Sequence, residues 1–138
     1  MENQQIKQAG LKVTAPRVKI LGILERSGKR HLRAEDVYKE LLSQNEEIGL
    51  ATVYRVLTQF EGAGLVVRRH FEGGQSVFEL NSGSHHDHLV CIKCGKIVEF
   101  VDPLIEARQI AIAAEHGFRI EDHTLVVYGL CTGCQNAR

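Results

Sequence analysis

The 138-residue sequence has no long run of apolar residues. Each run is much shorter than the roughly 18–20 residues that a membrane-spanning helix needs. The polar beginning MENQQIKQAG lacks the apolar segment of a signal peptide, and the chain has no internal repeat or low-complexity tract. Its 43% hydrophobic and 25% charged residues are ordinary for a globular protein. We therefore expect a cytoplasmic protein of one moderate domain or two small ones, without a membrane partner.

The sequence also lacks two common enzyme motifs, the HExxH helix of metalloproteases and the glycine-rich loop that binds phosphates. Histidine, aspartate and glutamate around an ion can activate water, so a metal-dependent hydrolase remains an alternative. We predict that the protein is not an enzyme and has no small-molecule substrate.

The formal net charge is zero, but the charge is unevenly distributed. Through Arg33 there are eight Lys or Arg against two Glu, whereas from Asn81 onward there are five basic residues against seven acidic ones. One interpretation is a solvated basic helix face. The other is an N-terminal half that binds an anionic partner such as nucleic acid.

Three segments of the first half have helical spacing of their apolar residues. They are TAPRVKILGILERSG, with Thr14 as N-cap and Pro16 in the first turn, AEDVYKELLSQ, and GLATVYRVLTQFEGAG. Two β-rich runs then flank Gly73-Gly74 in LVVRRHFEGGQSVFEL, which predicts a hairpin. Three helices followed by a hairpin are the order of a winged helix-turn-helix, which we assign to residues 1–80.

The second half has a different composition. The polar stretch NSGSHHDH is the best boundary candidate, and we predict a hinge at residues 81–84. Residues 85–138 then predict two strands (LVCI and IVEFV), a helix (LIEARQIAIAAEHG) and a long strand (FRIEDHTLVVYGLC). The predicted fold class is thus α+β, a winged helix followed by a small α/β domain. A domain of this size needs a metal or a partner subunit for stability.

The four cysteines form two CxxC pairs, which are Cys91 with Cys94 and Cys131 with Cys134. Two such pairs can supply four thiolates to a tetrahedral zinc ion, and this closed site has no open position for a substrate. A disulfide framework is disfavoured in a reducing compartment. Two unrelated buried pairs or a redox CxxC remain alternatives. We predict a structural zinc site.

The segment HHDH at residues 85–88 places four metal-ligand side chains in succession. If the segment is extended, His86 and His88 point one way, and His85 and Asp87 point the other way. Two adjacent half-sites would result, suited to Fe²⁺, Mn²⁺, Zn²⁺ or Co²⁺. The alternative is a surface histidine patch. Further ligands could come from His31, Glu79, Glu99, Glu106 and, in the last predicted strand, His123.

The chain resembles the ferric uptake regulator family in six segments that keep the order and spacing of the family: LKVTAPRVKIL, RHLRAEDVYKEL, GLATVYRVLTQFEGAGLVVR, FEGGQSVFEL, HHDHLVCIKCGKIVEF and IEARQ. The resemblance covers nearly the whole chain. It implies a metal-responsive repressor that binds double-stranded operator DNA as a homodimer or a higher oligomer. It also implies that the second domain is the dimerisation domain.

The resemblance also implies specific site residues. Structural Zn²⁺ would be held by Cys91, Cys94, Cys131 and Cys134. The regulatory ion, Fe²⁺ with Mn²⁺, Co²⁺ or Zn²⁺ as substitutes, would be held by His31, Glu79, His86, His88 and Glu99. A third site would use His85, Asp87, Glu106 and His123. DNA contacts are implied for Lys12 near the minor groove and for Tyr54 and Arg55 on the third predicted helix.

This ligand set implies a mechanism in which one ion fixes the angle between the two domains. Iron loading would then set the spacing of two recognition helices and repress iron-uptake genes. The peroxide-sensing branch of the superfamily carries aspartates where Glu79 and Glu99 stand here, which favours iron sensing. The rival is a structural zinc protein that binds nucleic acid constitutively. Chelation distinguishes the two, because only a sensor loses DNA affinity when its labile metal is removed.

Overall fold

The computed structural model describes residues 1–71, 76–83 and 85–136. The chain divides into two compact units, Met1–Gly83 and Ser84–Arg138. Position 84 of the predicted hinge lies outside the described residues. Among the helices of the described residues, none is both long and apolar enough to cross a membrane.

The first unit contains four helices within its described residues: α1 (Glu2–Gln8), α2 (Ala15–Arg26), α3 (Ala34–Ser43) and α4 (Leu50–Gly62). Helix α2 begins where the sequence predicts, because the Thr14 hydroxyl accepts the backbone N–H of Arg17 at 3.4 Å. Helix α1 was not predicted. Its sequence ENQQIKQ has one apolar residue, Ile6, which is fully buried in the core.

A two-stranded antiparallel hairpin completes the first unit. It pairs β1 (Val66–His70) with β2 (Ser76–Leu80) in the register Val66↔Leu80 through His70↔Ser76. Leu32 adds one antiparallel bridge to Phe78. The predicted turn at Gly73-Gly74 lies outside the described residues. The predicted winged helix-turn-helix, three helices and a hairpin, is confirmed.

The core of the first unit determines which face of α4 is exposed. Val53, Val56, Leu57 and Phe60 recur at helical spacing and are buried in one apolar cluster with residues of the other helices and the hairpin. Burial of this stripe leaves Tyr54 and the neighbouring position 55 exposed on the opposite face.

The second unit contains a mixed sheet with strand order β4-β3-β5. Its elements are β3 (Asp87–Cys91), β4 (Ile97–Phe100), α5 (Pro103–Glu115), β5 (Val126–Gly129) and a short α6 (Thr132–Gln135). Strand β4 is antiparallel and β5 parallel to β3. Helix α5 connects β4 to β5, and Asp102 caps its start by accepting the Leu104 N–H at 2.8 Å.

The long last strand was predicted incorrectly. Only Val126–Gly129 forms a strand, and these four residues pair with His88 through Cys91 of β3. The preceding residues from 118 to 125 have no ladder partner among the described residues. His123 therefore precedes the last strand instead of belonging to it. Helix α6 was also not predicted.

Apolar burial is sparse in the second unit. Of its described residues, the buried hydrophobic ones are Val90 and Cys91, and the other buried side chains are His86, Asp87 and His88. The centre of this unit is therefore polar, which costs free energy unless those groups are hydrogen-bonded or bound to a cation.

Candidate metal centres and nucleic-acid interface

The four cysteines of the second unit form one cluster. Cys91 ends β3, Cys94 follows in the turn before β4, Cys131 precedes α6 and Cys134 lies within α6. All four are free thiols, and their sulfur atoms lie within 4.8 Å of one another. The sulfurs of Cys94 and Cys131 are 3.7 Å apart. A tetrahedral ion with Zn–S bonds of about 2.3 Å requires sulfur–sulfur separations of about 3.8 Å, so the cluster fits zinc.

The pKa values within the cluster suit a cation. The N–H groups of Cys131 and Cys94 donate to the Cys91 sulfur at 3.4 and 3.5 Å and lower the pKa of Cys91 to about 5. The pKa of Cys131 is also lowered, mainly by the Cys134 amide. Hydrogen bonding to Cys131 raises the pKa of the Cys134 thiol to about 12. Cys91 and Cys131 therefore form thiolates readily, and zinc would displace the proton of the Cys134 thiol.

A second cluster in the same unit joins His85, Asp87, Glu106 and His123. His85 Nε2 lies 3.0 Å from Asp87 Oδ1 and 3.3 Å from Glu106 Oε1. His123 Nε2 lies 3.6 and 3.5 Å from the same two oxygens. Asp87 is fully buried. Its Oδ2 atom, Glu106 Oε1 and His123 Nε2 accept or donate no hydrogen bond among the described residues. Two carboxylates and two imidazoles directed at a common point fit a divalent cation.

A third set of predicted ligands lies on the sheet of the second unit. His88 on β3 faces Glu99 on β4 in the strand register. His86 Nε2 is 3.3 Å from Glu99 Oε2, and the rings of His86 and His88 have centroids 4.8 Å apart. His86 and His88 are 8% and 1% exposed, so these imidazoles are held in a buried polar environment. The three side chains form one half of the predicted regulatory site.

The other predicted regulatory ligands, His31 and Glu79, belong to the first unit. Glu79 on β2 is 1% exposed, and its Oε2 atom lies 3.1 Å from His31 Nε2. Its Oε1 atom accepts a hydrogen bond from Arg69 Nε at 3.0 Å, and Arg30 Nε lies 3.8 Å from Oε2. Sequence reasoning did not identify Arg69. The alternation of side chains along the two strands could have identified it, because Arg69 and Glu79 are diagonal neighbours on one face of the hairpin.

The predicted DNA-contacting residues all lie in the first unit. Tyr54 and Arg55 are exposed on the outer face of α4, the second helix of the helix-turn-helix. Lys12 is exposed in the segment before α2. Arg17 donates to the Lys12 carbonyl at 2.7 Å and to Gln59 Oε1 of α4 at 2.9 Å. Arg17, which sequence reasoning missed, therefore ties the Lys12 segment to α4.

A winged helix-turn-helix followed in the chain by a small α/β unit with clustered thiolates and imidazoles defines a class, the metal-binding transcription regulators. Residues 8–128 match the sequence pattern of the Ferric uptake regulator family. A Legionella pneumophila ferric uptake regulation protein is 63% identical over 134 residues, which are 97% of this chain and 98% of that one.

Two solved structures agree with the sequence match. The Vibrio cholerae ferric uptake regulator has a TM-score of 0.89 and 56% identity, covering 95% of this chain and all of that chain. The Francisella tularensis ferric uptake regulator with iron has a TM-score of 0.88 and 45% identity, covering 92% and 96%. The chain belongs to the Ferric uptake regulator family.

Membership in the family confirms two predictions. Its members are transcription regulators that respond to metals, so the protein is not an enzyme. The predicted metal cofactors are also confirmed, because the four-cysteine cluster fits zinc and the imidazole–carboxylate clusters fit iron-type divalent ions.

Proposed function

We propose that the protein is an Fe²⁺-responsive repressor of iron-uptake and iron-homeostasis genes. The observation that carries this proposal is the division of the regulatory ligands between the two units. His31 and Glu79 lie in the first unit, and His86, His88 and Glu99 lie in the second. An ion that recruits ligands from both units restricts the angle between them. This restriction is how metal loading would control DNA binding.

Three considerations support iron as the regulatory ion. Imidazole and carboxylate ligands suit Fe²⁺ better than they suit thiophilic ions. The Legionella relative is named for ferric uptake, and the Francisella structure contains iron. The carboxylate ligands here are glutamates at positions 79 and 99, unlike the aspartates of the peroxide-sensing branch. Mn²⁺, Co²⁺ and Zn²⁺ have the chemistry to substitute at this site.

The outer face of α4 provides the proposed contact with operator DNA. Arg55 has the planar fork that binds guanine or phosphate, and Tyr54 can pack on a thymine methyl group. Lys12 would reach the minor groove beside α4, held in place by Arg17. A repressor of this kind works in the cytoplasm, with its operator.

The second unit provides the proposed homodimer interface. Its exposed large apolar side chains include Leu104, Ile110 and Phe118, which are 78%, 62% and 74% exposed in the single chain. Ile112, Phe118 and Ile120 also line a groove of about 720 Å³. A second copy of the chain would bury this apolar surface. It would also place two α4 helices against two half-sites of an operator.

The other two clusters have supporting roles in this proposal. Zinc on Cys91, Cys94, Cys131 and Cys134 would hold the end of the chain to the β3–β4 turn and so stabilise the second unit. A further divalent ion on His85, Asp87, Glu106 and His123 would neutralise the buried Asp87 and tie α5 to the sheet.

Alanine substitution at His86 and His88 tests the proposal. Operator binding by each variant is measured at buffered free Mn²⁺, an air-stable substitute for Fe²⁺, with zinc content determined in parallel. We expect both variants to keep their zinc and to lose most of the metal-dependent gain in operator affinity. His116→Ala is the matched control, because that histidine lies outside the three ligand clusters and bonds the Ile112 carbonyl at the end of α5. Because His116 also lines the groove of the proposed interface, the control is first checked to be as dimeric as wild type. Undiminished metal-dependent operator binding by His86→Ala would contradict the ligand assignment. Operator binding by the wild-type protein that does not depend on Mn²⁺ would instead indicate a constitutive zinc protein.

A further inference from the structure

One contact joins the two helices of the helix-turn-helix at their exposed surface. Tyr54, in the second turn of α4, donates its hydroxyl proton to Glu35 Oε1 in the first turn of α3. The tyrosine is 43% exposed, so its ring remains available to a partner. The hydrogen bond to Glu35 raises the pKa of the Tyr54 phenol.

The simpler role for Glu35 is stabilisation of the helix N-terminus, where acidic residues are favourable. In α3, however, Asp36 already performs this task. Its Oδ2 atom accepts the backbone N–H of Arg33 at 2.9 Å, and its Oδ1 atom accepts from the Arg33 guanidinium at 3.2 Å. The Glu35 carboxylate is instead bonded to the hydroxyl of a residue on the next helix.

Two arginines lie near this contact, and each of them is paired with a carboxylate. Arg33 and Arg68 are both close enough to Tyr54 to influence its pKa. Arg68 pairs with Glu61 at 3.4 Å and donates to Thr58 on the outer face of α4 at 3.0 Å. A carboxylate on a surface that faces DNA repels phosphate groups whatever the base sequence is.

We propose that Glu35 is a positioning residue for base readout, which holds the Tyr54 ring in the orientation that meets a thymine methyl group. The proposal rests on the proposed function, in which α4 enters the major groove. The hydroxyl bond restricts the ring, and a restricted ring loses less conformational entropy when it packs against a base. Glu35 also repels the phosphate groups of any duplex, so only its effect on the Tyr54 ring increases discrimination between base sequences.

Replacing thymine by uracil in the DNA tests the proposal, because uracil lacks only the methyl group that Tyr54 would contact. The probe is a duplex selected from random-sequence DNA by the full-length wild-type protein loaded with Mn²⁺. Thymines are replaced one at a time. Loss of one methyl contact, worth about 0.8 kcal/mol, should weaken wild-type binding about fourfold at the contacted position.

Four variants separate orientation from charge. For Glu35→Ala and for Tyr54→Phe, the ratio of the affinity for the thymine duplex to the affinity for the uracil duplex should fall close to one. The double variant should lose no more than either single variant, because both remove the same hydrogen bond. In Glu35→Gln the amide oxygen still accepts, so most of the ratio should remain while affinity for non-operator duplex rises about threefold. Glu40→Gln is the matched control, because that glutamate accepts from Gln44 at the C-terminal end of α3.

Two results would overturn the proposal, and they can be told apart. In the first, wild type and Glu35→Ala discriminate thymine from uracil equally, and thermal denaturation shows that the variant is folded. Tyr54 is then oriented without Glu35. If no uracil substitution affects wild type and Tyr54→Ala binds normally, the assigned base contact itself is wrong and the proposed α4 interface fails with it.

Discussion

Removal of the zinc site should unfold the second unit and leave the first unit folded. The perturbation is Cys94→Ser, which removes one ligand of the four-sulfur cluster. Among the described residues of the second unit, the one buried aliphatic side chain is Val90, and its burial contributes about 1.5–3 kcal/mol to stability. A structural zinc site contributes about 10–16 kcal/mol at pH 7. Zinc binding therefore contributes more to this unit than its fully buried aliphatic side chain does, whereas the first unit has an extensive apolar core.

Hydrogen–deuterium exchange read by mass spectrometry can follow the two units separately. In the zinc-free variant, we expect amide protection to be lost in β3 and β5 and kept in α2 and α4. Glu106→Gln serves as the control, because it alters the neighbouring His85 cluster while all four sulfurs remain. It should retain both zinc and protection. Protection of β3 and β5 that persists in zinc-free protein would refute the reasoning.

Three further predictions concern the first unit. Phe60→Ala should lower the free energy of unfolding of that unit by about 3–5 kcal/mol in urea titrations, with zinc content unchanged, because it opens a cavity in the core. Arg69→Met should lower it by about 1–3 kcal/mol, because the buried Glu79 carboxylate loses its closest arginine partner. In protein that already carries Glu79→Gln, Arg69→Met should lower the free energy of unfolding by less, and an equal decrease would contradict the pairing of Arg69 with Glu79. The pKa of Tyr54 is raised in the folded protein. Its bond to Glu35 therefore stabilises the fold fully below the ordinary phenol pKa, and this stabilisation is lost as the pH rises through the higher pKa of the folded state. In Glu35→Ala, NMR titration of labelled tyrosine should show that pKa returning toward its ordinary value, and an unchanged pKa would exclude the contact.

The elements that the sequence predicted well have a strong local signal. Helix α4 has four apolar residues at helical spacing, and the structure buries all four. Helix α1 could not be predicted in this way, because one apolar residue, Ile6, defines no period. The last strand was predicted too long because β-forming residues continue upstream of it, whereas its length is set by pairing with the five-residue β3. That pairing is not encoded locally.

In the candidate sites, too, the sequence predicts what is local along the chain and not which distant residues meet. CxxC spacing identifies cysteines as metal ligands because each pair is local in sequence, and the period of a strand explains why His85 lies with Asp87 and His86 with His88. The partners that tune these groups are distant in sequence. Arg69 lies on a different strand from Glu79, and Glu35 lies on a different helix from Tyr54. Only the packing of those elements brings such pairs together.

The most direct test of the central claim is the affinity of the protein for Mn²⁺ measured with and without saturating operator DNA. If one ion linking His31 and Glu79 to His86 and His88 controls DNA binding, metal must bind more tightly on the operator than off it. The ratio must equal the factor by which metal raises operator affinity, because the coupling is reciprocal. A ratio of about 5–150 would be typical of such coupling. A ratio of one, in protein that retains its zinc, would contradict the account.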